Sequence, residues 1–282
     1  MESFEVVKAN GEREIFQVQK LRSSLSNAGA GGPVIKSVIH TLEEEGLFRD
    51  GITTQKIYRE AYRLLKKRSH PVARRYRLKE ALFEMGPSGY PFEVLVSELF
   101  KKLGYQTKVG KVVQGKCVSH EIDVIATDDR QVLMVECKFH NRKDHNSSIQ
   151  TPLYIQSRFL DVRDTWESEP EYQDKEAVGY IVTNTRFTGD ALDYAKCMGL
   201  QLLSWDYPQK EGLKDLIERS NIHPITILNS LTKKEKQALL KADIVHCGQL
   251  LNNQKVLEEL HFNHSKKRNI LSELDELFAE QG

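Results

Sequence analysis

The chain has 282 residues, enough for two or three domains, and its many charged residues nearly balance at a net charge of +1. Overall charge therefore does not announce a nucleic-acid partner, and any such partner must be read from local patches. Four widely spaced cysteines without a CxxC pair argue against a zinc ribbon or a disulfide framework, and the lack of a leader pattern or a membrane-length apolar run predicts a cytoplasmic protein with no membrane contact.

The first segment, residues 1–85, opens with short strands at 4–7 and 14–16 around a turn at Asn10-Gly11. Helical patterns follow at 18–28, 34–45, 54–67 and 72–83, and the run Gly29-Ala30-Gly31-Gly32-Pro33 breaks the first two apart. The second segment, 86–222, starts at the linker Gly86-Pro87-Ser88-Gly89. An amphipathic helix comes next, with Phe92, Val96, Leu99 and Phe100 on one face, and Gly104 stops it. Strands at 106–109, 121–126, 132–138, 177–182 and 200–205 alternate with helices at 153–165 and 188–198, which predicts an α/β core with a mixed sheet flanked by helices. The third segment, 223–282, is helical, with Leu231, Leu239, Leu240, Leu250 and Leu274 among its expected core.

Three side chains of the second segment carry the chemistry. Asp123 stands in His120-Glu121-Ile122-Asp123, and Glu136 and Lys138 stand in Val135-Glu136-Cys137-Lys138. The apolar runs between them, joined by the polar turn Thr127-Asp128-Asp129-Arg130, read as a β-hairpin. Alternation along a strand puts Glu136 and Lys138 on one face and turns Cys137 away. Asp123 and Glu136 can then share a hard cation, with Lys138 beside a scissile group, an arrangement suited to metal-assisted phosphodiester hydrolysis. The plain alternative is a set of surface charges on an edge hairpin.

With Phe92-Glu93 and Leu103-Gly104-Tyr105 before it, and the run Gly179 to Asn184, Phe187-Thr188 and Ala191 after it, this set resembles the PD-(D/E)xK nuclease superfamily, most closely the Mrr-like restriction endonucleases. The resemblance implies a restriction-endonuclease-like fold over about 86–205 and a Mg²⁺- or Mn²⁺-dependent endonuclease acting on DNA, in a setting such as restriction or phage defence. Asp123 and Glu136 would hold the metal, with the Cys137 carbonyl as a further ligand. Lys138 would orient or deprotonate the attacking water, and Glu93 would support the metal site. Glu121, two residues before Asp123 and so on the same strand face, could be a second acidic contact, and by the resemblance Gln150 or Gln156 would supply the glutamine that often follows in the family. His120, His140 and His145 are expected at the surface or against phosphate. One site per chain implies a homodimer or higher homo-oligomer for double-strand cleavage.

The first segment resembles an ATP-cone, through Val7-Lys8, Gly11, Glu14, Phe16, Lys20-Leu21, Ile52, Thr54, Ile57 and the run Val72 to Tyr76. That resemblance implies a purine nucleotide, ATP or dATP, as effector. Lys8 and Lys20 would meet phosphate, Phe16 and Leu21 would pack near the base, and Thr54 would make a polar contact, with Glu14 in the same motif. One departure is Ala9, where a basic residue is usual. No GxxxxGK[ST] occurs, so ATP-driven translocation is not expected. An oligomerisation domain is the ordinary alternative.

Basic residues gather at Arg63, Lys66, Lys67, Arg68, Arg74, Arg75, Arg77 and Lys79, then at Lys101, Lys102, Lys108, Lys111 and Lys116, and again at Lys266-Lys267-Arg268. The middle group leads into the proposed site and is the favoured DNA contact. The third segment loosely resembles helix-hairpin-helix modules, and a dimerisation bundle fits it nearly as well. Rival readings of the whole are a non-catalytic nucleotide-responsive DNA-binding protein and an RNA-directed nuclease.

Overall fold

β1 (Glu5–Val7) begins the chain with an exposed Glu5 and a fully buried Val6, the alternation of a strand with one wet face. It pairs antiparallel with β2 (Arg13–Ile15) and parallel with β3 (Ile52–Thr53). In this computed structural model the described residues are 4–8, 11–142 and 145–279, and the chain divides into two units, Met1–Glu80 and Ala81–Gly282. Ala9, Asn10 of the expected turn, and the side chains of Arg74 and Arg75 lie outside the described residues.

In the first unit the three strands accompany α1 (Val18–Asn27), α2 (Gly32–Glu44), α3 (Thr54–Arg68) and α4 (His70–Phe83), the last of which runs on into the second unit. Leu21, Leu25, Leu42, Ile57 and Leu65 are fully buried in its core, and the rings of Phe4, Phe16 and Phe48 meet at 5.1–5.8 Å. β3 was not foreseen, since two residues carry no readable alternation and the strand exists only because β1 offers it a ladder. The cap of α3 is Thr53, whose hydroxyl accepts from the Lys56 amide at 3.2 Å.

The second unit contains α5 (Tyr90–Lys102), β4 (Gln106–Gln114), β5 (Ser119–Thr127), β6 (Gln131–Lys138), β7 (Asn146–Ser147), α6 (Gln150–Trp166), β8 (Glu176–Thr183), β9 (Arg186–Phe187), α7 (Gly189–Met198) and β10 (Gln201–Leu203). Five strands form one mixed sheet in the order β10-β8-β6-β5-β4, antiparallel from β4 to β6 and parallel from β6 to β10. Ile155, Phe159 and Val162 of α6 pack with Ile122, Ile125, Met134 and Ile181 of the sheet. α5 lies against β4 and β5, where Ser97 and Thr107 share a hydroxyl hydrogen bond of 2.8 Å. The helices thus flank the sheet, as expected. β4 runs five residues further than foreseen, because it pairs with β5 from Gln106↔Thr127 to Gln114↔Ser119.

One rung of that ladder is missing. Val109↔Val124 and Lys111↔Ile122 pair, but Gly110, with φ +59°, does not bridge Asp123 opposite it. The two strands change faces there. Thr107 meets α5, whereas Val113, three residues beyond Gly110, packs into the α6-side core. Ile122 and Ile125 both belong to that core although they are an odd number apart. A non-glycine residue at such a φ is costly, so Gly110 permits the turnover.

The remaining elements are α8 (Leu213–Ser220), a 3₁₀ turn (Ile225–Ile227), α9 (Lys233–Lys241), α10 (Cys247–Asn252), α11 (Val256–Glu259) and α12 (His264–Ala279). They are tied to the segment that enters α5. Thr226 donates to the Ala81 carbonyl at 2.6 Å, Gln237 donates to the carbonyls of Glu84 and Gly86, and Lys236 pairs with Glu84 at 2.6 Å. His246 stands 3.8 Å from Glu98 of α5 and, as the largest cause, holds that carboxyl down near 2. Among the described residues no helix is long and apolar enough to cross a membrane.

Candidate active site

β5 and β6 pair only from Val124↔Val135 to Thr127↔Val132, although β6 stays paired with β8 along its whole length to Lys138↔Thr183. Beyond Val124 the first half of β5 belongs to β4 and the second half of β6 to β8. Asp123, Glu136, Cys137 and Lys138 stand in the crotch where the strands part. The Cys137 amide, released from the β5 ladder, donates to Asp123 Oδ2 at 2.7 Å. The Cys137 thiol is buried, and its ionisation is pushed far up by desolvation, so it is no nucleophile.

Glu136 is only 5 % exposed, and a carboxylate so placed needs partners. Among the described residues it has two: Lys138 Nζ at 2.6 Å from Oε1 and Arg158 Nη1 at 2.6 Å from Oε2. Arg158 comes from α6, and its other nitrogen donates to the Glu121 carbonyl of β5. Sequence reasoning missed this residue. The only available signal was a basic side chain between the apolar positions Ile155, Phe159 and Val162 of the predicted helix.

Glu93 enters from the first turn of α5. Phe92 beside it is fully buried with its ring 5.7 Å from that of Phe139, the residue after Lys138. The linker Gly86-Pro87 packs on the same loop: a Cβ at Gly86 would lie 2.3 Å from Asn141 Oδ1, and Asn141 donates to the Pro87 carbonyl. These contacts fix Glu93 toward the crotch. Its pKa rises to about 7 through desolvation and repulsion from Asp123, Glu121 and Glu136, and that of Asp123 rises to about 6 through desolvation and Glu136. Among the described residues no three His, Cys, Asp or Glu side chains already surround one point closely enough to hold a metal. Carboxylates crowded until their pKa values rise nevertheless form an oxygen donor set suited to a hard cation that keeps much of its water.

The histidines divide. His120 is not at the surface: its Nε2 lies 2.8 Å from Asp161 Oδ2 of α6, each side chain being 12 % exposed. Asp161 also accepts from the amides of Cys117 and Val118, which clamps the β4–β5 turn to α6 and, with His120 as the largest cause, holds its carboxyl near 2. His140 and His145 stack at 4.1 Å, and burial lowers His140 to about 4. Gln150 is exposed and Gln156 is buried, and among the described residues no hydrogen bond joins either to the trio.

The foreseen basic patch before Asp123 is partly neutralised, since Lys101, Lys108 and Lys116 pair with Glu98, Glu171 and Asp164. In the first unit Lys8 pairs with Glu14 at 2.9 Å, Lys20 is exposed and Thr54 is half-buried. Phe16 and Leu21 lie in the hydrophobic core, Leu21 completely so.

A mixed sheet carrying an acidic pair and a lysine where two strands diverge defines a nuclease-type domain of the restriction-endonuclease class. Residues 86–207 match the restriction endonuclease family of the Mrr catalytic type, and residues 223–278 match the family described as AF1548-like, C-terminal. The chain is 35% identical over 179 residues to an Archaeoglobus fulgidus protein described as uncharacterized, covering 63% of this chain and 97% of that one. It is also similar to the crystal structure of AF1548, a protein of unknown function, with a TM-score of 0.56, 33% identity and coverage of 69% of this chain and 100% of that one. The chain belongs to the AF1548-like family.

Proposed function

We propose that this protein is a metal-dependent endonuclease that hydrolyses DNA phosphodiester bonds. The observation that supports it is the convergence of Asp123, Glu136, Lys138 and Glu93 where β5 and β6 part. Asp123 and Glu136 would hold Mg²⁺ or Mn²⁺, with the Cys137 carbonyl as a further ligand and water and phosphate completing the shell. The bound metal would supply charge stabilisation at the phosphate and lower the pKa of water. Lys138, on a flexible stem 31 % exposed, can leave Glu136 to orient that water and offset charge on the phosphate. Glu93, with its pKa near 7, can take up a proton at neutral pH. Cutting both strands with one site per chain calls for a homo-oligomer. By resemblance, restriction or phage defence is the setting.

A second part of the proposal is that residues 1–85 form an ATP-cone that tunes the nuclease segment, 86–222. Support comes from the small α/β build of the first unit and from Lys8 and Glu14 lying side by side, with Lys20 exposed on α1. Given the burial of Phe16 and Leu21, those two would shape the nucleotide site from beneath. The helices of 223–282 would serve oligomerisation or DNA contact.

Supercoiled, linear and single-stranded DNA and an RNA of the same sequence, each incubated with Mg²⁺ or Mn²⁺ with and without ATP or dATP, provide the test. Metal-dependent DNA cleavage lost in Asp123→Ala is expected. Cleavage of RNA alone would overturn the substrate, and no cleavage under any condition would favour a DNA-binding role. Calorimetry with ATP and dATP tests the first unit, and binding of neither would end the regulatory reading.

A further inference from the structure

Both oxygens of Glu136 are engaged, yet their two partners differ in kind. Lys138 offers one flexible ammonium, 31 % exposed. The Arg158 side chain is 12 % exposed and fixed at three points: by Glu136 Oε2, by the Glu121 carbonyl, and by the Tyr154 ring, whose centroid lies 5.5 Å from Cζ. Glu121 is on β5 and Glu136 on β6, so one guanidinium spans the gap where the two strands have lost their ladder. A planar fork with several donors can do this, whereas an ammonium is a point charge. Among the described residues the other tie across the gap is the hydrogen bond from the Cys137 amide to Asp123.

We infer that Arg158 is a positioning residue for the metal site: it orients Glu136 toward Asp123 and holds the two strands at the spacing a shared cation needs. This inference rests on the metal-dependent reading of the crotch given above. A carboxylate oxygen has more than one lone pair, so Oε2 can keep its arginine while Oε1, once Lys138 moves, faces the metal. Outer partners that fix a ligand's orientation typically change metal affinity by about 10–100-fold when removed. Arg158 never touches the reacting atoms in this role. Tyr154, exposed at the surface, covers the guanidinium and limits its exchange with water.

The experiment measures Mn²⁺ binding to the full chain by the loss of the free-ion electron paramagnetic resonance signal, with circular dichroism as the check on folding. Arg158→Gln is expected to weaken Mn²⁺ binding by about 10–100-fold, and Arg158→Lys to recover part of it. Unchanged or tighter binding in Arg158→Gln overturns the inference. If that variant does not fold, Arg158→Lys carries the comparison, and affinity equal to the wild type overturns it. Amide hydrogen exchange in the metal-free protein gives an independent arm. The Cys137 amide is expected to lose protection in the Arg158 variant, and unchanged protection overturns the positioning role. A wild type that binds no Mn²⁺ brings down the metal-dependent reading instead, and the exchange arm then decides Arg158 alone.

Discussion

The backbone amide of Cys137 donates to a carboxylate oxygen of Asp123 at 2.7 Å, so a side chain of β5 takes the place of the rung that β5 and β6 no longer form. The ionisable group of the site is thereby part of the sheet's own hydrogen bonding. Its burial, and its repulsion from Glu136, lift its pKa to about 6.

The stability of the metal-free protein should record that coupling. An acid whose pKa is raised by folding costs the native state stability once it ionises. The cost is absent below the unfolded value near 4 and complete above about 6. Asp123→Asn removes the charge and keeps an oxygen to accept from Cys137. In EDTA its free energy of unfolding should gain on the wild type as pH rises from about 4 to about 6, then hold a constant lead on the order of 2–3 kcal/mol, read as a raised melting temperature. Parallel melting curves at every pH would show that the carboxylate is not desolvated as described.

Activity should carry the opposite slope, because metal ligands and a proton acceptor must be ionised. With Asp123 near 6 and Glu93 near 7, cleavage should climb between about pH 5.5 and 7.5. Glu93→Gln should remove the upper part of that rise and leave a shallower, single-proton limb with its midpoint near pH 6. An unaltered profile in the variant would take Glu93 out of the proton transfer.

Lys138→Ala should lower the cleavage rate by about 10²–10⁴-fold. Stability should change by no more than about 1 kcal/mol, since Arg158 still compensates Glu136 and Lys138 is partly in water. Single-turnover cleavage together with thermal melting separates the two effects. A variant that cuts as fast as the wild type would remove Lys138 from the chemistry.

Gly110 tests how Asp123 is aimed. A Cβ there would meet nothing within 4 Å, so Gly110→Ala costs only the left-handed backbone, about 1 kcal/mol by urea unfolding, and Gly110→Asn costs less. Cleavage should fall more than stability, because the strand turnover at this rung orients Asp123. Gly115→Ala acts differently: its Cβ would sit 2.3 Å from Asp161 Oδ2 and 2.7 Å from the Val118 carbonyl. It should destabilise by about 1–3 kcal/mol through the clamp on the β4–β5 turn. Equal unfolding midpoints for Gly115→Ala and the wild type would refute the crowding.

Much of the nuclease fold was legible because its signals are local. The apolar runs 122–126 and 132–135 have strand length and a polar turn between them, and Phe92, Val96, Leu99 and Phe100 recur at helical spacing. The pairing of the exposed Lys108 and Lys116 and of the half-buried His120 was not legible, because their partners Glu171, Asp164 and Asp161 lie on other elements. β3 and α8 escaped for the same reason, their form being set by neighbours rather than by their own few residues.

By itself the sequence determined the chemistry available to this protein: two carboxylates and a lysine at the ends of two apolar strands, with a glutamate on the helix before them. Residue type and strand or helix period are properties of short stretches, and a chain states them outright. Only the tertiary structure decided that the strands part at Asp123, that Gly110 turns the ribbon over at that rung, and that Arg158 reaches in from α6 to span the gap. Those outcomes depend on how helices pack across a sheet, and burial then gives one guanidinium and one amide their hold on the carboxylates.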